Sequence, residues 1–157
     1  VNVRLYGVDA SGRRGVVFAS LEASRLAAVL AARAAFSIPY FWSATSLIET
    51  GGAIEYGARR HVGDGATRLV ARPGAELVIG DATADFLTAR WGLFTRRLGR
   101  TVFLPNTHEA WRLQRATLLE LDDTLVERAG LPHVTDRMPD SVLYAEGVTA
   151  RFGRALR

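Results

Sequence analysis

The chain has 157 residues, 48% of them hydrophobic, and a formal charge of +4, so it carries enough apolar material for one buried core and is predicted to form a single domain over residues 1–157. All twenty basic residues are arginine, and the sequence contains neither lysine nor cysteine. Because arginine keeps its proton near neutral pH, this composition excludes lysine-imine catalysis, and it also excludes thiolate chemistry, disulfides and cysteine metal sites.

Alternating apolar and polar residues predict that most of the chain is β-strand. Glycine-rich turns separate these segments, as hairpins require. About nine strands are expected in the following places: a first hairpin of residues 1–6 and 16–20, a three-stranded meander of 41–48, 54–61 and 67–72, a further hairpin of 93–96 and 101–104, and strands over 112–121 and 141–152.

Helices are fewer, and three are predicted. The first is capped by Ser20 or Ser24 and runs to about residue 36, and the others cover residues 83–90 and 123–129. Asp81, Asp122 and Asp123 precede helix starts, where carboxylates cap amide groups, so we interpret them as caps and not as catalytic acids.

Six segments in a fixed order resemble an uncharacterised bacterial family, the YqjF-like proteins, which is grouped with the acetoacetate-decarboxylase-like superfamily. They are residues 2–6, 15–23, 32–33, 36–41, 86–94 and 108–114. The resemblance implies a mainly β (α+β) fold, with a curved antiparallel sheet or incomplete barrel and two or three covering helices. It also implies that N-terminal strands of the full family domain are missing here. In the decarboxylases a reactive lysine follows a proline in a Tyr-Pro-Lys-Lys motif, whereas this sequence reads Ile38-Pro39-Tyr40-Phe41, so the fold carries over and the imine mechanism does not.

Two pairs of residues are candidates for a ligand pocket. Arg4 and Tyr6 share one face of the first strand, where the arginine would bind a carboxylate and the tyrosine would donate a hydrogen bond if that face points inward. The alternative is a solvated face with Arg4 in a surface ion pair. Tyr40 and Trp42 also share a strand face, and they line either the same cavity or an ordinary aromatic core.

Arg33 falls on the apolar stripe of the first helix, beside Leu30, at the three-to-four spacing of a buried face. A buried guanidinium needs an acceptor, because an unpaired interior charge is costly. We therefore expect a structural ion pair with Glu22 or Glu55, with ligand binding as the alternative.

His108 and Trp111 lie in the segment of residues 108–114, and both are candidates for ligand binding. The imidazole would act as a general base or orient a water molecule, or else it holds the loop backbone near Pro105 and Asn106. The histidines lie far apart in the sequence, so no metal site is expected, and no cofactor is expected either.

The leading hypothesis is a small-molecule-binding domain for an acidic or carbonyl ligand that works without Schiff-base chemistry. The alternative is an interaction or scaffold domain without a ligand, dimeric through an exposed edge strand. Scattered arginines, in runs no longer than two, argue against nucleic-acid binding. No apolar stretch approaches a membrane span, and a cytoplasmic location is the default expectation.

Overall fold

A computed structural model gives the structure of the chain and describes residues 1–156. The described chain is 49% strand and 16% helix, which makes it mainly β. Its helices are α1 (Leu26–Phe36), α2 (Ala82–Thr88) and α3 (Leu125–Arg128), with a 3₁₀ turn at Val134–Asp136. Its strands are β1 (Asn2–Val8), β2 (Arg14–Ala23), β3 (Tyr40–Thr50), β4 (Ala53–Arg60), β5 (Ala66–Leu77), β6 (Gly92–Arg97), β7 (Arg100–Thr107), β8 (Gln114–Asp123), β9 (Leu143–Tyr144) and β10 (Arg151–Phe152).

The ten strands within residues 1–156 form one curved, open sheet in the order β10-β7-β6-β2-β3-β4-β5-β8-β9, and β1 pairs with β2 outside this path. The predicted fold class is therefore confirmed. The β1–β2 and β6–β7 hairpins and the β3–β4–β5 meander are antiparallel, as predicted. The exceptions lie at β2, which pairs in parallel with β3 over three residues and with β6 at one.

Glycine is required at two places in the sheet, one at a turn and one where two strands approach closely. The turn between β3 and β4 is Gly51-Gly52, and both residues have positive φ, at 58° and 75°. Glycine adopts this conformation without the steric cost that other residues incur. At Gly92, where β6 begins, a side-chain carbon would lie 2.8 Å from the carbonyl oxygen of Leu104 and would also meet the ring of Phe103. The close approach of β6 and β7 therefore depends on Gly92.

Three sequence predictions about elements were wrong. The strand predicted over 141–152 is reduced to the two short strands β9 and β10. Helix α1 begins after Arg25 without a side-chain cap, because Ser20 belongs to β2 and Ser24 makes no capping bond to the helix. The apolar stripe of α1 is also less buried than its spacing indicated: Val29 is buried, whereas Leu26 and Leu30 are 43% and 56% exposed.

The capping interpretation of the aspartates is confirmed for two of the three. Asp81 accepts hydrogen bonds from the backbone N–H groups of Thr83 and Ala84 at the start of α2. Asp123 accepts one from the backbone of Val126 at 2.8 Å. These bonds satisfy amide groups that a helix start leaves without partners, which explains the carboxylates without catalysis.

The core consists of two clusters on either side of the β1–β2 hairpin. The first contains Val16, Ile38, Leu93 and Leu104, and Tyr6 and Tyr40 pack against it. The second contains Val3, Ala58 and Leu125. Strand β1 thus contributes Val3 to one cluster and Tyr6 to the other.

Candidate functional site

A cavity of about 430 Å³ opens beside β1, between the meander and α2. This volume lies within the range of small-molecule sites in proteins. Its walls come from β1, β4, β5, α2, β8, β9 and three loops. The lining residues are Arg4, Tyr6, Ile54, Tyr56, Leu69, Ala71, Pro73, Leu87, Thr88, Trp111, Leu113, Ala116, Ser141, Val142, Leu143, Tyr144 and Ala145.

The lining is mostly apolar and contains one charged side chain, that of Arg4. No acidic side chain lines the cavity in the part of the chain that the structure describes. The Arg4 guanidinium carbon lies 5.8 Å from the centroid of the Tyr6 ring, within cation–π range. Among residues 1–156, Arg4 forms no ion pair. Arg4 is exposed to solvent, so the cavity presents at its open side one positive charge that has no ion-pair partner among these residues, beside a phenol.

Two further tyrosines, Tyr56 on β4 and Tyr144 on β9, face the same space. Burial raises the pKa of the Tyr56 hydroxyl above its usual value, and the neighbouring Tyr144 and Glu49 add to the increase. The hydroxyl therefore stays protonated near neutral pH and is able to donate a hydrogen bond to a ligand.

Arg90, directly behind this wall, is a buried cation that the sequence did not single out. It is 4% exposed, and its Nε donates to the Phe86 carbonyl oxygen at 2.7 Å. Its two terminal nitrogens are buried without a hydrogen-bond partner among the described residues. The guanidinium carbon lies 4.0 Å from the Phe86 ring centroid and 5.1 Å from that of Tyr6. Burial lowers the pKa of this guanidinium from its ordinary value, and the charge of Arg14 lowers it further.

Arg14 completes an alternating group of cations and rings, with its guanidinium carbon 5.2 Å from the Phe86 centroid. The two rings, Tyr6 and Phe86, lie 5.8 Å apart. We call these five residues, Arg4, Tyr6, Arg14, Phe86 and Arg90, the arginine–aromatic cluster. Within the described chain, none of its three arginines forms an ion pair with an acidic side chain.

The predicted residues Tyr40 and Trp42 lie away from this cavity. Tyr40 packs half-buried against the first core cluster. Trp42 is 39% exposed, packs against His61 in a tilted arrangement with ring centroids 4.0 Å apart, and donates from Nε1 to the Ser24 carbonyl oxygen. The structure thus brings Arg4, Tyr6 and Trp111 together and leaves Tyr40 and Trp42 elsewhere.

The ion pair predicted for Arg33 does not form. Arg33 is exposed on α1, with its guanidinium carbon 5.9 Å from the Phe41 ring. Glu22 pairs instead with Arg60, and Glu55 pairs with Arg68. The prediction failed because it assumed that the α1 stripe is buried.

His108 is held by backbone oxygens at both ring nitrogens: Nδ1 lies 2.7 Å from the Glu109 carbonyl and Nε2 lies 3.3 Å from that of Arg90. The ring also stacks on Trp91, with centroids 4.6 Å apart. Both contacts are with backbone oxygens, but neither is with the backbone of Pro105 or Asn106 that the sequence predicted. His108 does not line the cavity of Arg4.

His108 also lines a larger groove of about 970 Å³, next to the C-terminal segment. Its charged lining residues, Glu109, Arg112, Glu146 and Arg151, include both signs in equal number. This balance leaves no net charge to select a ligand. The smaller cavity, with its single sign of charge, is the stronger candidate.

Residues 1–156 contain no group of three or more histidine and carboxylate side chains arranged to hold a metal ion. None of the helices described for these residues is long and apolar enough to cross a membrane.

Fold and site together define a mainly β domain with an arginine-bearing cavity. The sequence matches the DUF2071 family, described as "Uncharacterized conserved protein", over residues 1–149. The chain therefore belongs to this family.

Two relatives extend the comparison. The chain is 31% identical over 134 residues to "Uncharacterized protein YqjF" of Bacillus subtilis, an alignment that covers 83% of the chain and 55% of that protein. It is 38% identical over 96 residues to a protein named "Error-prone DNA polymerase" of Mesorhizobium japonicum, covering 57% of the chain and 8% of that protein. The chain thus spans about half the length of the Bacillus relative and a small part of the other.

Proposed function

We propose that this chain is a small-molecule-binding domain whose ligand is a small organic acid held in the cavity of Arg4 and Tyr6. The observation that carries the proposal is the Arg4 guanidinium, which has no ion-pair partner among the described residues, in a mostly apolar cavity of about 430 Å³. A carboxylate would accept paired hydrogen bonds from Arg4. The hydroxyls of Tyr6 and Tyr56 would fix its orientation, and Trp111 would cover its apolar part.

We further propose that the scaffold is related to acetoacetate decarboxylases but works without an imine. The support is the sequence Pro39-Tyr40-Phe41 at the place of the reactive lysine, together with the complete absence of lysine. A 2-oxo acid would therefore bind non-covalently. The carbonyl group would accept a hydrogen bond rather than form a bond to nitrogen.

The test is thermal-shift and calorimetric titration with a panel of small 2-oxo acids. A ligand at about 100 times its dissociation constant stabilises the fold by about 2.7 kcal/mol. Arg4→Gln removes a charged hydrogen bond, so it weakens binding by about 1.5–3 kcal/mol. The matched control is Arg59→Gln, an exposed arginine on β4 outside the cavity, which leaves binding unchanged. If no acid in the panel binds, the proposal is wrong.

A second candidate function, an interaction domain that dimerises through an edge strand, is favoured by β3. Residues 44–50 of β3 are exposed on both faces and, among the described residues, pair with β4 along one edge only. Leu47 and Ile48 are 57% and 51% exposed there. Long apolar edge strands favour pairing with another strand. Sedimentation of the wild type and of Ile48→Arg tests this function: a dimer that the substitution dissociates supports it, and a monomeric wild type contradicts it.

A further inference from the structure

The arginine–aromatic cluster concentrates three positive charges around two rings. The shortest cation–π contacts, 4.0 and 5.1 Å, are both made by Arg90, and Arg4 and Arg14 lie at 5.8 and 5.2 Å from the same rings. Tyr6 and Phe86 offer only the weak negative potential of their faces to balance these charges. Because no carboxylate among residues 1–156 pairs with these arginines, the cluster has more positive charge than its protein surroundings compensate.

Arg90 acts on the cavity from behind its wall. Tyr6, Leu87 and Thr88 line the cavity, and the backbone N–H of Arg90 donates to the Thr88 carbonyl oxygen at 2.8 Å. The guanidinium itself contacts the Tyr6 ring and is 4% exposed. A buried charge is poorly screened by water, so its field extends into the adjacent cavity.

We propose, building on the acid-binding function above, that the ligand is a dianion, a small dicarboxylate, whose first carboxylate is bound by Arg4 and whose second charge is matched by the buried Arg90 behind Tyr6. A monocarboxylate would compensate Arg4 and leave Arg90 without a counter-charge. The second carboxylate gains an attraction to Arg90 that is worth about a factor of ten in affinity when two charges lie about 12 Å apart in a protein environment.

Arg90 is a specificity residue in this scheme and not a catalytic one. It does not line the cavity, so it affects the ligand through its charge alone. Substitutions that keep this charge should therefore keep the selectivity, and substitutions that remove it should abolish the selectivity. This dependence separates an electrostatic role from a packing role.

Isothermal titration with the dicarboxylates malonate to adipate, each compared with the monocarboxylate of equal carbon number, tests the inference. In the wild type, at least one dicarboxylate binds about ten times more tightly than its monocarboxylate. Arg90→Met reduces this preference to near unity and Arg90→Lys retains it. Arg4→Gln weakens both acids, and Arg59→Gln changes neither.

Equal affinity of the wild type for both acids, or a preference that survives Arg90→Met, overturns the dianion inference. In either case, monocarboxylate binding that depends on Arg4 still supports the acid-binding function. If none of these acids binds, both proposals fail together. The comparison within the wild type needs no variant, so the inference stays testable even if Arg90→Met does not fold.

Discussion

Two largely buried arginines of this chain differ in whether an acid compensates them, and the difference predicts unequal losses of stability from the same substitution. The Arg60 side chain is 10% exposed and pairs with Glu22, which is fully buried, through an Nη2–Oε1 contact of 2.8 Å. Ser43 donates a further hydrogen bond of 2.5 Å to the Glu22 carboxylate. Arg90 is equally buried, but its terminal nitrogens have no partner within residues 1–156.

Replacing Arg60 with methionine keeps much of the side-chain volume and leaves Glu22 as a buried charge held by Ser43 alone. Breaking a buried ion pair in this way costs about 3–5 kcal/mol. For a chain of this size, each kcal/mol lowers Tm by about 2–4 °C, so Arg60→Met should lower Tm by roughly 6–20 °C.

Arg90→Met removes both stabilising and destabilising contributions to the free energy of unfolding. It loses the bond to the Phe86 carbonyl, worth about 1.5–3 kcal/mol, and two cation–π contacts of about 0.5–2 kcal/mol each. The substitution also removes the cost of two buried nitrogens without hydrogen-bond partners, about 1–3 kcal/mol each, and the cost of burying an uncompensated charge. These contributions oppose each other, so Arg90→Met should change the free energy of unfolding by less than Arg60→Met does.

Urea denaturation followed by far-UV circular dichroism measures both variants, and equal slopes against urea concentration would show that the unfolded states are comparable. The reasoning is refuted if Arg90→Met destabilises the fold as much as Arg60→Met does. It is equally refuted if Arg60→Met leaves the stability unchanged.

Four further results are expected. Asp81→Ala should destabilise the chain, and Asp81→Asn should do so less, because asparagine also caps a helix. A backbone hydrogen bond from Ala84 lowers the pKa of Asp81, so the stability that this carboxylate contributes is present above pH 3.8 and is lost as the pH falls through its lower pKa in the folded state. Acid titration of both variants would show this dependence. The raised pKa of Tyr56 means that stability falls as the pH rises above 10, and Tyr56→Phe should flatten that part of the pH–stability curve. Gly92→Ala should cost about 1–3 kcal/mol in urea denaturation, because the new methyl group meets the Leu104 carbonyl, and an unchanged midpoint would contradict the close packing of β6 and β7. Borohydride with a 2-oxo acid should leave no adduct on any side chain by intact-mass spectrometry, and a trapped side chain would disprove imine-free binding.

Local signals in the sequence predicted the hairpins but not the strand pairings that connect one hairpin to the next. The Gly51-Gly52 turn and the alternation on either side of it specify β3 and β4 directly, because turn chemistry and strand period are encoded within a few residues. The parallel contacts of β2 involve three residues of β3 and one of β6. Such short pairings between segments far apart in the chain leave no periodic signal, so they depend on tertiary packing alone.

The candidate site was predictable in part for the same reason. Arg4 and Tyr6 were identified because a two-residue period places them on one face of a strand, and both line the cavity. Arg90 was missed because the predicted helix extended to residue 90, which would have made it one more helical arginine. The helix instead ends at Thr88, and Ala89 has a non-helical ψ of 70°. The turn at Ala89 directs the Arg90 guanidinium towards Tyr6 and Phe86, and no residue type in the sequence predicts this turn.

The energetics of Arg90 also connect stability with function. A buried arginine without a counter-ion is costly, and methionine of similar size would fill the same space at no greater cost. Retaining the charge therefore brings the folded chain no advantage in stability by itself, whereas a second negative charge in the cavity would stabilise the buried guanidinium by electrostatic attraction across Tyr6. If this account is right, saturating dicarboxylate should stabilise the wild type more than Arg90→Met in the same thermal-shift experiment. Equal stabilisation of the two proteins would mean that Arg90 is tolerated for packing and takes no part in binding.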